Sequence, residues 1–171
     1  MQPWEFVVVR DEKTKKELSD VALRQEHIED APVLIVVCAD PEKSEDRYGE
    51  RGRNLYCIQD TAAAIENMLL TANSLGLGTC WNGAFDEERA RTILNIPNRL
   101  KPVAILTIGF PVTYDKLGKK SRIPFEHITW IDKYSEDFSW IEKYGEEWKY
   151  RIRPLEEHVE KLKEKLTLRK K

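Results

Sequence analysis

Histidine and cysteine each occur only three times in this chain of 171 residues, and methionine twice. His27, His127 and His158 lie far apart with no Cys or Asp at ligand spacing, so each is expected on the surface or in packing, and no metal site is expected. Cys38, Cys57 and Cys80 stand singly, which argues against a disulfide framework and suits a reducing compartment. Cys80 sits near a turn, where it reads either as a nucleophile or, more ordinarily, as a small buried hydrophobe. No apolar run reaches membrane-spanning length and no signal-peptide pattern opens the chain, so a soluble, cytoplasmic protein is expected. Neither charge sign dominates: 28 Lys and Arg are interspersed with 30 Asp and Glu, leaving no nucleic-acid footprint except at the basic tail end. Paired catalytic carboxylates, a Ser/His/Asp set, a Gly-x-Gly-x-x-Gly after a strand and a Walker-type phosphate loop are all missing.

What is present is concentrated in residues 58–85, IQDTAAAIENMLLTANSLGLGTCWNGAF. Ile58, Ala62, Ile65, Leu69 and Ala72 recur at steps of four and three, one side of a 3.6-residue helix. Ala63, Ala64, Met68, Leu70 and Leu75 widen that stripe until the helix reads as a pillar buried all round, with Asp60 and Thr61 as capping and first-turn residues. Gly76 stands where a helix end takes a left-handed residue. A short strand-like run, Thr79, Cys80 and Trp81, leads to Asn82, Gly83, Ala84 and Phe85, and Asp86 opens a new helix. Two readings stay open from the residues alone. One is an ordinary packing element, and the other is a site where Gly83 lets a flat or anionic ligand approach free backbone N–H groups.

The flanks supply a domain of one sheet and several helices. Residues 5–10 read as a buried strand, and residues 14–25 as a polar helix with Leu18, Val21 and Ala22 facing in. Residues 33–39 are the most apolar strand and should be central, residues 41–54 read as a charged, mobile loop, and residues 87–94 as a short helix capped by Asp86 and ended by Pro97. Residues 102–109 form a third buried strand and residues 126–131 a shorter one. Residues 132–171 differ in composition, aromatic and charged, with a narrow seam of Leu155, Val159, Leu162 and Leu166 over a helix at 154–168. Domain boundaries are therefore expected at 1–131 and 132–171. Lys120 and Arg122, two apart on an extended segment, would point to one side and grip a phosphate together, unless they belong to a solvated basic loop. A backbone site of ring size and a phosphate clamp, without catalytic side chains, point to chemistry carried by a cofactor.

Several collinear motifs resemble the FMN-dependent nitroreductase family. These are QPWEFVVV at residues 2–9, Ala31 with Pro32, Asp60 with the Ala-rich helix, LGLGTCW at 75–81, GAF at 83–85, IGFP at 108–111 and KSRIP at 120–124. The resemblance covers about residues 2–131. It implies an α+β sandwich with a central mixed β-sheet flanked by helices, and a homodimer with FMN at the subunit interface. It implies hydride acceptance from NADH or NADPH at the flavin and delivery to a nitroaromatic, quinone or similar small-molecule acceptor, with no catalytic side chain. Carried over by position, Gly83 and Ala84 offer backbone N–H groups to the flavin, Gln25 faces its pyrimidine edge, Trp81 and Asn82 line the ring, and Lys120 and Arg122 hold the phosphate.

Family members begin with two helices and an Arg-Arg-Ser-type motif, whereas this chain starts at Met1 and Gln2, so the FMN-binding domain is expected to be N-terminally incomplete. The basic residues Arg151 and Arg153 before the tail helix either help replace the lost phosphate contacts or precede a helix that stabilises the dimer. The alternative function is a flavin-binding relative without turnover, used for sensing or structure.

Overall fold

The computed structural model describes residues 1–111, 123, 128–130 and 133–134. The chain divides into two compact units, Met1–Lys116 and Leu117–Lys171, and every strand and helix below belongs to the first. Lys120, Arg122, the boundary at 131/132, Arg151, Arg153 and the tail helix lie outside the described residues. Of the strand expected over 126–131, only residues 128–130 are described, and they are not in strand.

Four strands form the sheet: β1 (Trp4–Val9), β2 (Val33–Ala39), β3 (Gly78–Asn82) and β4 (Lys101–Gly109), in the order β1-β2-β4-β3. The two most apolar strands, β2 and β4, take the inner places, and Leu34, Val36, Val37, Ala104, Ile105 and Leu106 are buried. The α+β class expected from the sequence holds, and among the described residues all three strand pairings are antiparallel. Hydrophobic patterning marks where a strand lies and which side chains alternate, and it is blind to strand direction.

Register explains the two-sided core. Val7, Val9, Leu34, Val36, Cys38 and Ile105 share one face. There they pack with Leu18 and Val21 of α1 (Glu12–Val21), Ile28 of α2 (Glu26–Asp30) and Ala90 of α5 (Glu87–Leu94). Val37, Ala104 and Leu106 face the other way, against Ile65 of α4 (Cys57–Ser74). Both inner strands therefore read as continuous apolar runs because both faces are covered. β1 was expected to be buried, but among the described strands it lies at the edge with a single neighbour, and Phe6 and Val8 are exposed on the face opposite Val7 and Val9.

Residues 41–54 are not a mobile loop. They form α3 (Pro41–Arg51), with a kink at Gly49, and a π-helical turn (Gly52–Tyr56) that runs into α4. The start signal is local: Asp40 accepts from Lys43 N at 3.1 Å, and Pro41 occupies the first turn. Gly52 allows the π turn to close, because a Cβ there would overlap the Ser44 backbone carbonyl. Asp40 also receives Arg99 Nη1 at 2.8 Å, and Arg99 Nη2 reaches Glu5 at 2.6 Å, tying α3, β1 and the approach to β4. Asp40→Ala is expected to lower stability by about 1–2 kcal/mol through the lost cap. Chemical denaturation measures it, and an unchanged midpoint would show that α3 forms without its cap.

α1 is capped by Asp11, whose carboxyl is held below its ordinary pKa by the bond it accepts from Thr14 N. It ends at Val21, short of residue 25, because Leu23 and Arg24 turn left-handed at φ 61° and 55°. α4 is a pillar on one side only. Cys57, Thr61, Ile65 and Ala72 are buried, whereas Leu70 and Leu75 are 60% and 70% exposed, since a single sheet face covers a single helix face. Asp60 and Thr61 do not cap it, because the π turn already supplies helical backbone at its start. Its end is a Schellman motif: Gly76 has φ 75°, its N–H bonds Asn73 O at 3.0 Å, and Leu77 N bonds Ala72 O at 2.9 Å. Asp86 caps α5 as expected, accepting from Arg89 N at 3.0 Å, but left-handed Asn95 ends it ahead of Pro97.

Candidate active site

β3 stops at Asn82, and the stop is chemical. The Asn82 side chain is buried and its Nδ2 donates to Ile105 O at 2.9 Å and Cys80 O at 3.3 Å, closing off the cross-strand ladder. Its Oδ1 lies 2.7 Å from His27 Nε2. Beyond Asn82 come Gly83, Ala84 and Phe85, and then Asp86, whose N–H donates to Val21 O at 2.9 Å. The loop is thus anchored at both ends to the turn between α1 and α2. Phe85 turns into the core beside α5, while Gly83 and Ala84 stay exposed. Among the described residues, no backbone carbonyl accepts from Gly83 N or Ala84 N. Backbone donors are usually paired unless water or a ligand serves them, so the loop presents a ready pair of N–H groups. The indole Nε1 of half-exposed Trp81 lies 3.7 Å from the position a Gly83 Cβ would take. A flat heteroaromatic ring with acceptor atoms on its edge fits this combination of aromatic wall and amide donors.

Trp81, Asn82, Gly83 and Ala84 are therefore brought together at one strand end, although Asn82 spends its amide inside the protein. Gln25 lies in the adjoining turn, but its Nε2 donates to Ala22 O at 2.8 Å and its carbonyl accepts from Ser19 Oγ at 3.0 Å. Lys120 and Arg122 are not described. His27 is exposed, in keeping with the surface or packing role expected of it, and it also ties the α2 start to the loop. It is 55 positions from Asn82, so no local pattern could have signalled the pairing. Cys80 is exposed, contrary to its reading as a buried hydrophobe, and its strand β3 stands at the end of the described strand order. Burial pushes the Cys38 thiol up to about 11 and raises that of Cys57 as well, so neither supplies a thiolate at neutral pH.

An apolar groove of about 340 Å³ runs between α4 and the sheet, lined by Ile35, Met68, Ala72, Leu75, Leu77 and Ile108. Among the described residues, no helix is long and apolar enough to cross a membrane.

A protein of Archaeoglobus fulgidus is 36% identical over 114 residues, 64% of this chain and 62% of that protein. An enzyme of Bacillus subtilis named FMN reductase (NADPH) is 29% identical over 137 residues, 72% of this chain and 54% of its own length. The chain thus spans between about half and two thirds of these relatives. Among solved structures, B. megaterium NfrA1 is similar at a TM-score of 0.70 and 28% identity, covering 84% of this chain and 62% of that one. The Nitroreductase family model matches residues 19–110, more than half the chain and the stretch from the last turn of α1 through the Gly83 loop to the end of β4, so this chain is a member of the nitroreductase family.

Proposed function

We propose that the chain is the flavin-binding part of an FMN-dependent NAD(P)H oxidoreductase acting in the cytoplasm on a nitroaromatic, quinone or related small acceptor. The observation that carries this reading is the Gly83 and Ala84 amide pair, exposed, without a backbone acceptor among the described residues, and held on an anchored loop beside Trp81. Family membership and the flavin-directed name of the Bacillus relative support it. The chemistry supplied by bound FMN is acceptance of hydride from NADH or NADPH and reduction of the acceptor. The chain binds and orients. Gly83 and Ala84 donate to acceptor atoms on the ring edge, Trp81 flanks the ring, Gln25 lies toward its polar edge, and Lys120 with Arg122 grips the phosphate. With FMN bound there, the Gly83 and Ala84 N–H donors would stabilise negative charge on the ring.

The same reading makes the protein a homodimer. Leu70 on α4, and the apolar groove that Leu75 lines just past the end of that helix, offer the surface that a second copy would cover. The test is direct. Purified protein supplied with FMN is expected to be yellow and to bleach anaerobically on addition of NADH or NADPH. Protein that stays colourless after incubation with FMN would overturn the assignment.

A further inference from the structure

We propose that His27 is the positioning residue of the Gly83 loop, acting through Asn82 and holding it in both of its own protonation states; its bearing on flavin rests on the function proposed above. The argument begins with the Asn82 amide. Its Nδ2 faces two backbone carbonyl oxygens, Ile105 O at 2.9 Å and Cys80 O at 3.3 Å. Neither can donate, so a flipped amide would set oxygen against oxygen twice. Oδ1 must therefore be the atom facing His27 Nε2 at 2.7 Å and the Cys80 thiol at 3.7 Å. An amide oxygen only accepts, so Nε2 must carry the proton. Neutral His27 is then the Nε2–H tautomer with a bare Nδ1. Protonation adds its hydrogen at Nδ1 and leaves the Nε2–H bond to Asn82 in place.

Position makes this bond a strut. Asn82 is 4% exposed, so an Oδ1 deprived of His27 would be a poorly served acceptor in a buried setting. His27 sits in the first turn of α2, and the next residue, Ile28, is fully buried in the core. The strut therefore ties the loop entrance to a fixed element, as the Asp86 to Val21 backbone bond ties its exit. Between the two ties lie only Gly83, Ala84 and Phe85, two of which present the amides. Holding the entrance limits how far those N–H groups can swing, and pre-orientation of donors is what a ring-binding loop needs.

The experiment compares His27→Phe and His27→Gln with the wild type by three readouts. Long-range proton–nitrogen spectra of the wild type are expected to show an Nε2-bound proton on His27 at every pH sampled. A neutral Nδ1–H tautomer would overturn the proposal. In flavin-free protein, His27→Phe is expected to lower the backbone N–H order parameters of Gly83 and Ala84 from the range of rigid backbone, about 0.85, to below about 0.6, with those of β4 unchanged. FMN affinity should fall by about tenfold, the scale of one lost hydrogen bond, and His27→Gln, which keeps an N–H donor, should recover most of both losses. Order parameters unchanged in His27→Phe would show that Asn82 holds the loop unaided and would sink the idea. Should the wild type take up no FMN, the tautomer and order-parameter results still decide the role of His27, and only the flavin assignment falls.

Discussion

Gly83→Leu is expected to abolish flavin uptake while leaving the fold intact. Among the described residues, nothing requires glycine at this position. Gly83 does not have a positive φ, and of the described atoms a Cβ there would meet only Trp81 Nε1, at an ordinary contact distance of 3.7 Å. The residue is exposed, so unfolding free energy should stay within about 0.5 kcal/mol of the wild type. The space that a leucine fills is the space beside the indole and next to the Gly83 and Ala84 amides, where the ring is proposed to lie. Occupying it and shielding an N–H should raise the Kd for FMN by more than about 100-fold, or about 2.7 kcal/mol. Flavin fluorescence titration read beside a thermal melt separates the two effects. Undiminished uptake in a normally folded variant would place the ring elsewhere. A glycine that neither turns nor packs is a sign of something that approaches from outside.

The second large effect is structural. Ile65→Ala is expected to cost about 3–4 kcal/mol, the range for a large aliphatic side chain truncated in a core. Ile65 is fully buried, and its buried companions are Val37, Ala104 and Leu106, a small cluster that joins α4 to the sheet. With Ala104 already small, little side-chain volume is available to collapse into the cavity. Against a total stability of about 5–15 kcal/mol for an ordinary domain, this is a large share. Leu70→Ala, on the same helix but 60% exposed, should change the isolated protomer by no more than about 0.5 kcal/mol. Any further loss that grows on dilution would come from a subunit contact and not from the protomer core. Equal, concentration-independent losses from both variants would mean that α4 is enclosed within one chain, against the one-sided burial described here.

Much of the fold is written in short-range chemistry. The apolar runs at 33–39 and 102–109 announce the inner strands, Asp86 announces α5, and Gly76 announces the end of α4, each through a signal a few residues long. The helix over 41–51 was equally local, because Asp40 and Pro41 form a start signal. Its charge-rich surface and two glycines hid it, since such a face reads alike on a helix or a loop. β1 misled for a different reason: β-branched residues favour any pleated strand, and edge or centre depends on how many neighbours arrive.

The site divides along the same line. Trp81, Asn82, Gly83 and Ala84 are consecutive, so their proximity needs no folding, and the glycine among them is visible at once. The partners that make them a site come from elsewhere. Only when β3 lies beside β4 does Ile105 offer its carbonyl to Asn82, and only when α2 docks does His27 meet the remaining oxygen. Caps, periodicity and turn residues act over one or two helical turns, so the chain's own order is enough to specify its elements. Strand direction, the open side of α4 and the His27 strut join residues tens of positions apart, and they exist only once packing has chosen which surfaces touch.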